Sequence, residues 1–153
     1  MRPLRVYADT SVFGGMFDVE FETETQVFFD QVAAGRFQVA ISEMIEDELA
    51  LAPQRVRNFF ALKLPALEYL YASAEILRLS NLYVARGVLG KKSLADAAHI
   101  AYATVYHCDG VVSWNFKHIV HPDKARLFNM VNVTENYQPL FIASPKEILT
   151  YVQ

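Results

Sequence analysis

Four polar residues in this chain stand where an apolar chain has least use for them. Asp9 ends the run RVYAD, and Thr10, Ser11 and a glycine pair follow shortly after it. Glu48 lies in the acidic stretch SEMIEDELAL, Asp96 in SLADAAHIAYATVYH, and Asn115 in VVSWNFKHI. Carboxylates brought close together repel one another and resist ionisation, so a cluster makes chemical sense around a cation. Hard ions such as Mg²⁺ and Mn²⁺ take oxygen ligands, activate water and clamp phosphate for displacement.

Each residue also has an ordinary structural reading. Asp9 suits an Asx-turn, with its carboxylate on the backbone two residues on. Ser93 and Asp96 form the S-x-x-D pattern of a capping box, and a helix N-terminus favours the Asp96 charge. Small residues around Asp96 let its helix approach the sheet, which would aim the acid at the strand ends. His99, three residues on, has the spacing to be a second ligand or else to be a polar edge residue. Most of Glu43, Glu46, Asp47 and Glu48 must face water. Helical phase puts Glu48 between Ile45 and Leu49, beside the core face, and turns Asp47 away. Asn115 also suits a plain turn.

The elements that position these residues alternate. RVYAD reads as a first buried strand followed by a loop over Asp9 to Gly15. Glu24 to Ala34 has helical rhythm and stops at Gly35. FQVAIS is a second strand, and Ser42 N-caps the helix EMIEDELALA. Pro53 to Leu70 reads as helix interrupted at Pro65. Another helix runs from Ser73 towards Gly87, and SLADAAHIAYATVYH is the clearest helix of all. VVSW makes a third strand, Pro122 to Met130 a helix, and LFIAS a late strand. Ser144, Pro145 and Glu147 start a last short helix. Alternation of this kind implies right-handed crossovers and a mostly parallel sheet covered on both faces. In such sheets the site lies beyond the carboxyl ends of the strands, where Asp9, Ser42 and Ser113 fall.

With 153 residues, 53% of them hydrophobic and 20% charged, the chain suits one globular unit over 1–153 with its own core. Its net charge of -3 argues against a generic binder of phosphate backbones, though not against a nuclease whose acids are neutralised by cations. The lone cysteine, Cys108, allows no internal disulfide, and a cytoplasmic location is expected. MRPLRVYADT lacks the apolar run of a signal peptide, and no window is long enough for a membrane span. Tyr69, Tyr71, Leu77, Leu79, Leu82, Tyr83 and Val84 crowd one region. They either fill the core or form an interface for a homodimer or a partner's amphipathic helix.

The order of these pieces resembles the PIN-domain ribonucleases, in particular the VapC-type toxins of toxin–antitoxin pairs. ADTSV, the I-S-x-x-x-x-x-E-L piece ending at Glu48 and Leu49, D-A-A-H-I-A-x-A with Asp96, and S-W-N with Asn115 carry the resemblance over nearly the whole chain. It implies an α/β/α sandwich and a Mg²⁺- or Mn²⁺-dependent endoribonuclease. Asp9 and Asp96 would bind the metal directly, and Glu48 directly or through water. Ser11 and Ser113 would orient the carboxylates. RNA would be the substrate and an antitoxin the partner, with Lys117, Lys124 and Arg126 as candidates for phosphate contacts. Many relatives carry a fourth acid where this chain has Asn115, which puts a second tightly held ion in question. The alternative is a PIN-like module that has lost catalysis. A phosphatase of the haloacid-dehalogenase type would need a second Asp where Ser11 stands. A response-regulator receiver would need an acidic pair that is absent.

Overall fold

A computed structural model describes residues 2–152; Met1 and Gln153, the ends of the 1–153 unit, lie outside the described residues. The strands are β1 (Leu4–Ala8), β2 (Phe37–Ser42), β3 (Glu68–Leu70), β4 (Gly110–Val112) and β5 (Phe141–Ala143). They form one sheet in the order β3-β2-β1-β4-β5. All of its pairings are parallel, so the sheet is more uniform than the mostly parallel one expected. β1 is central, and Val6, Tyr7 and Ala8 are wholly buried. Burial on both faces explains why this strand reads as an apolar run.

The helices are α1 (Thr10–Gly14), α2 (Glu22–Ala33), α3 (Glu43–Leu49), α4 (Gln54–Lys63), α5 (Ala74–Ala85), α6 (Leu94–Val105), α7 (Pro122–Thr134) and α8 (Pro145–Ile148). From β1 to β3 the chain steps one way across the sheet; from β3 it crosses over β2 and β1 to β4 and continues to β5. Right-handed crossovers therefore put α1 to α4 on one face and α5 to α7 on the other, a three-layer α/β/α arrangement. Packing agrees: α5 lies on α6, α6 on β1 and β4, α2 on β2 and α8, and α1 on α4. The direction reverses between β1 and β4, and in open parallel sheets ligands bind at that switch point.

Four expectations change. The segment after Asp9 is not a loop but the short helix α1. The Pro53 to Leu70 segment is helical only to Lys63; a 3-10 turn containing Pro65 follows, and then β3. Proline lacks the N–H needed to continue the helix, and Tyr69 and Leu70 pair with Ile41 and Ser42. The Ser93 capping box does not form, because Ser93 closes a 3-10 turn at φ -105°, ψ 23° and its hydroxyl caps nothing. The crowded apolar region divides. Leu79 and Tyr83 are core, while Tyr71 and Leu77 are 67% and 61% exposed.

Other local signals hold. Ser42 Oγ accepts from Met44 N at 3.3 Å, and Ser144 and Glu147 make a reciprocal capping box. Gly35 and Gly87 follow α2 and α5 at φ +82° and +75°, the left-handed conformation that ends helices at glycine. At the amino ends of the strands, Arg5 grips Glu68 at 2.6 and 2.7 Å, and Arg2 grips Asp109 at 2.7 and 2.8 Å. No helix among the described residues is long and apolar enough to cross a membrane.

Candidate active site at the carboxyl ends of the strands

Asp9 follows β1 directly, in extended conformation, and only 5% of it is exposed. Ser11 Oγ donates to its Oδ1 at 2.6 Å, and Ser113 Oγ, just past β4, donates to its Oδ2 at 2.8 Å. Each serine is itself fixed by a backbone donor. Trp114 N–H reaches Ser11 Oγ at 2.8 Å, and Asn115 N–H reaches Ser113 Oγ at 2.9 Å. The D-T-S and S-W-N pieces thus lock together across the switch point. The Asx-turn reading of Asp9 does not apply, since its carboxylate is held by two hydroxyls and caps no backbone N–H of α1.

Among the described residues no ion pair involves Asp9. Burial pushes its carboxyl above the ordinary range; His99 and the two serine bonds offset part of this, and nearby Glu48 adds to it. Buried carboxylates without a compensating cation are costly.

Asp96 sits in the first turn of α6, half-buried. Asn115 Nδ2 donates to its Oδ1 at 3.4 Å. Burial also raises the Asp96 carboxyl, opposed by His118 and His99 and reinforced by Glu48. The Asn115 amide is oriented unambiguously, because its Oδ1 accepts from His118 N–H at 2.9 Å. Its carbonyl oxygen serves that turn. The nitrogen faces Asp96.

Glu48 closes the third side from the last turn of α3, with its side chain 39% exposed. Thr10 Oγ1 donates to its Oε1 at 2.8 Å, and His99 Nε2 lies 2.7 Å from the same oxygen. Glu46 and Asp47 are exposed, and Glu43 accepts from the Tyr102 hydroxyl. Burial pushes the Glu48 carboxyl up, yet the His99 and Thr10 interactions together hold it below its ordinary value.

His99 is buried, and both its ring nitrogens are engaged, Nδ1 with Tyr7 Oη at 2.7 Å. That leaves it no lone pair for direct ligation. No local pattern links Tyr7 to a residue 92 positions on. Thr10 and His118 were likewise missed; His118 stands near Asp96, with Nδ1 3.4 Å from Ser93 Oγ. Of the suggested phosphate contacts, Lys117 is exposed, Lys124 Nζ donates to Val88 O at 2.8 Å, and Arg126 reaches Met130 Sδ at 3.6 Å.

The loop after β4 is anchored by Trp114, whose ring stacks on Phe21 at 4.1 Å and whose Nε1–H donates to Thr25 Oγ1 at 2.9 Å. The structure therefore gathers Asp9, Glu48, Asp96 and Asn115, with Ser11 and Ser113, at one end of the sheet. It does not preassemble a cage: among the described residues no three His, Cys, Asp or Glu side chains stand close enough to hold an ion alone. The donor chemistry still suits a hard cation, being all oxygen around a buried, uncompensated carboxylate. Mg²⁺ in particular is usually held by one or two carboxylates, with water and substrate phosphate completing its shell.

No family model matches the chain, and no curated protein matches it. Among solved structures it is similar to a chain of VapBC2 from Rickettsia felis, crystallised bound to a DNA fragment from the promoter of that pair. The match covers 92% of this chain and 98% of that one, at 14% identity and a TM-score of 0.58. At that identity the likeness establishes the fold, and it agrees with the PIN-like sandwich implied by the sequence resemblance.

Proposed function

We propose that this chain is a Mg²⁺- or Mn²⁺-dependent endoribonuclease, the toxin of a toxin–antitoxin pair acting in the cytoplasm. The observation that carries the reading is Asp9: a buried carboxylate that makes no ion pair among the described residues, at the switch point of a parallel sheet, with Asp96 and Glu48 at the same end. A bound ion would supply Lewis acidity and an activated water beside the scissile phosphate. Asp9 and Asp96 would hold it, and Glu48 would hold it directly or through water. Ser11 and Ser113 keep Asp9 from turning away, and Asn115 offers Asp96 a neutral donor in place of another negative charge.

The partner reading rests on the fold shared with the VapBC2 structure and on Tyr71 and Leu77, large apolar side chains left exposed. Both a homodimer and an antitoxin segment are proposed for that face. A second reading, a PIN-like binding or regulatory module without catalysis, is favoured by one observation, the lack of a preassembled three-ligand cage among the described residues.

Incubating the purified chain with RNA in Mn²⁺, in EDTA, and as Asp9→Asn separates the two. The nuclease reading expects cleavage only in the first mixture. A chain that neither binds Mn²⁺ nor cuts RNA is the module.

A further inference from the structure

Glu48 is the most exposed of the three acids and sits on the longest side chain, so something must restrict it if it serves a site. Four residues from four other elements do this. Ser42 ends β2, Tyr7 belongs to β1, His99 to α6, Glu48 to α3 and Thr10 to α1. Their polar atoms form one chain: Ser42 Oγ to Tyr7 Oη 2.8 Å, Tyr7 Oη to His99 Nδ1 2.7 Å, His99 Nε2 to Glu48 Oε1 2.7 Å, and Thr10 Oγ1 to Glu48 Oε1 2.8 Å. Ser42, Tyr7 and His99 are buried. Buried polar groups in a core of this composition need a reason, since an apolar trio would pack without risk of unmet hydrogen bonds.

The chain has a direction. An ionised Glu48 offers only lone pairs, so Nε2 must carry the hydrogen. Nδ1 can then accept from the Tyr7 hydroxyl, and Tyr7 in turn accepts from Ser42. Both donors to Glu48 arrive at Oε1, and among the described residues no hydrogen bond reaches Oε2. The carboxylate is thus held by one oxygen, and its charge adds to the rise of the Asp9 and Asp96 carboxyls.

We infer that His99, backed by Tyr7, is a positioning residue that fixes Glu48 with Oε2 free for the site. The inference rests on the proposed nuclease reading. It makes His99 neither a ligand nor a group that moves protons. Hydrogen-bonding partners behind metal-binding groups typically matter by about 10–100-fold in affinity or activity.

The test uses Mn²⁺ calorimetry and cleavage rates on folded variants, with imidazole ¹H–¹⁵N correlation spectra as a readout independent of any ion. In the parent, the spectra are expected to show His99 protonated at Nε2. His99→Leu should weaken Mn²⁺ binding about 10-fold, and His99→Gln, whose amide can still donate to Glu48, should recover part of that. Tyr7→Phe keeps the ring and removes only the hydroxyl, so it serves if His99→Leu does not fold; it should weaken binding by a smaller factor. In a Glu48→Ala background, both substitutions should do nothing more.

A folded His99→Leu with parental affinity and rate, or equal losses with and without Glu48, overturns the inference and leaves the nuclease reading intact. A parent that binds no Mn²⁺ and cuts no RNA overturns the nuclease reading and this role with it. An Nε2–H signal in that case would assign the pairing to architecture alone.

Discussion

Asn115 donates its side-chain amide to Asp96 Oδ1 at 3.4 Å, tying the loop after β4 to the first turn of α6. The contact is between a neutral donor and an acid that burial already pushes towards protonation.

Replacing Asn115 by Asp should therefore act in opposite directions with and without a cation. The new carboxylate can still accept from His118 N–H, but its second oxygen faces Asp96. Without metal the two repel and the melting temperature should fall; with Mn²⁺ the added charge should tighten binding and reverse the loss. Asn115→Ala loses the turn bond and the Asp96 contact, at about 1 kcal/mol each, and should slow cleavage without unfolding the chain. Melts in EDTA and in Mn²⁺, with calorimetry, check both. Unchanged Mn²⁺ affinity in Asn115→Asp would return Asn115 to a turn residue only.

Asp9→Asn should abolish cleavage and stabilise the metal-free protein. The folded carboxyl lies above its unfolded value, so the native state binds the proton more tightly and loses stability as pH rises from the ordinary carboxylate range through that raised value. The gain in Asp9→Asn should thus be largest near neutrality and shrink on acidification towards pH 4. About 1 kcal/mol corresponds to roughly 2–4 °C in a domain of this size. Melting curves of both proteins in EDTA across that range test the sign.

Ser113→Ala removes a donor from a buried carboxylate and an acceptor from Asn115 N–H. A hydrogen bond to a charged group contributes about 1.5–3 kcal/mol, so a loss of that size is expected at neutral pH. Combined with Asp9→Asn the cost should be smaller than the sum, because the charge it served is gone. Additive denaturation free energies would place Ser113 outside the Asp9 site.

Gly15→Ala should disturb the site from behind. A methyl group there would lie 2.7 Å from both Thr25 Oγ1 and Trp114 Nε1, on either side of their hydrogen bond. Overpacking of this kind costs about 1–3 kcal/mol. Trp114 is the sole tryptophan, so its emission should shift as the indole loses its partner, and cleavage should weaken with it. Parental fluorescence and stability would show that the loop relaxes freely.

Leu77→Glu should break association while leaving the fold intact, since the side chain is 61% exposed on α5. Light scattering of the chain alone and with the antitoxin proposed as its partner measures the loss. A complex that survives the substitution moves the interface elsewhere.

The large periodic elements were legible because their patterns are long enough to count. α6 buries most of its length over twelve residues, and β1 and β2 are short, mostly apolar runs. α1 and β3 were not, for opposite reasons of scale: five residues with a glycine pair at the end show no helical period, and three residues cannot alternate. Asp9 and Asp96 stand out as acids in apolar company, and strand order alone sends them to one end. Their partners do not stand out. The Ser93 pattern predicts a cap, but the preceding 3-10 turn takes Ser93 out of the extended conformation a cap needs, and Asp96 is left to Asn115. The His99 links to Tyr7 and Glu48 span 92 and 51 positions, and nothing local encodes them.

The bond from Ser113 to Asp9 joins residues 104 positions apart. During translation at about 5–20 residues per second, roughly 5–20 s separate the emergence of one from the other. Until then β1 lacks its β4 neighbour, the loop that fixes Asp9 does not exist, and the acids have no common wall. A ribosome making this chain therefore holds no finished site until Ser113 is out. A fragment released before Gly110 would expose β1 as an unpaired parallel edge, and such edges aggregate. Abortive synthesis before that point should yield insoluble pieces in which the proposed site has not formed.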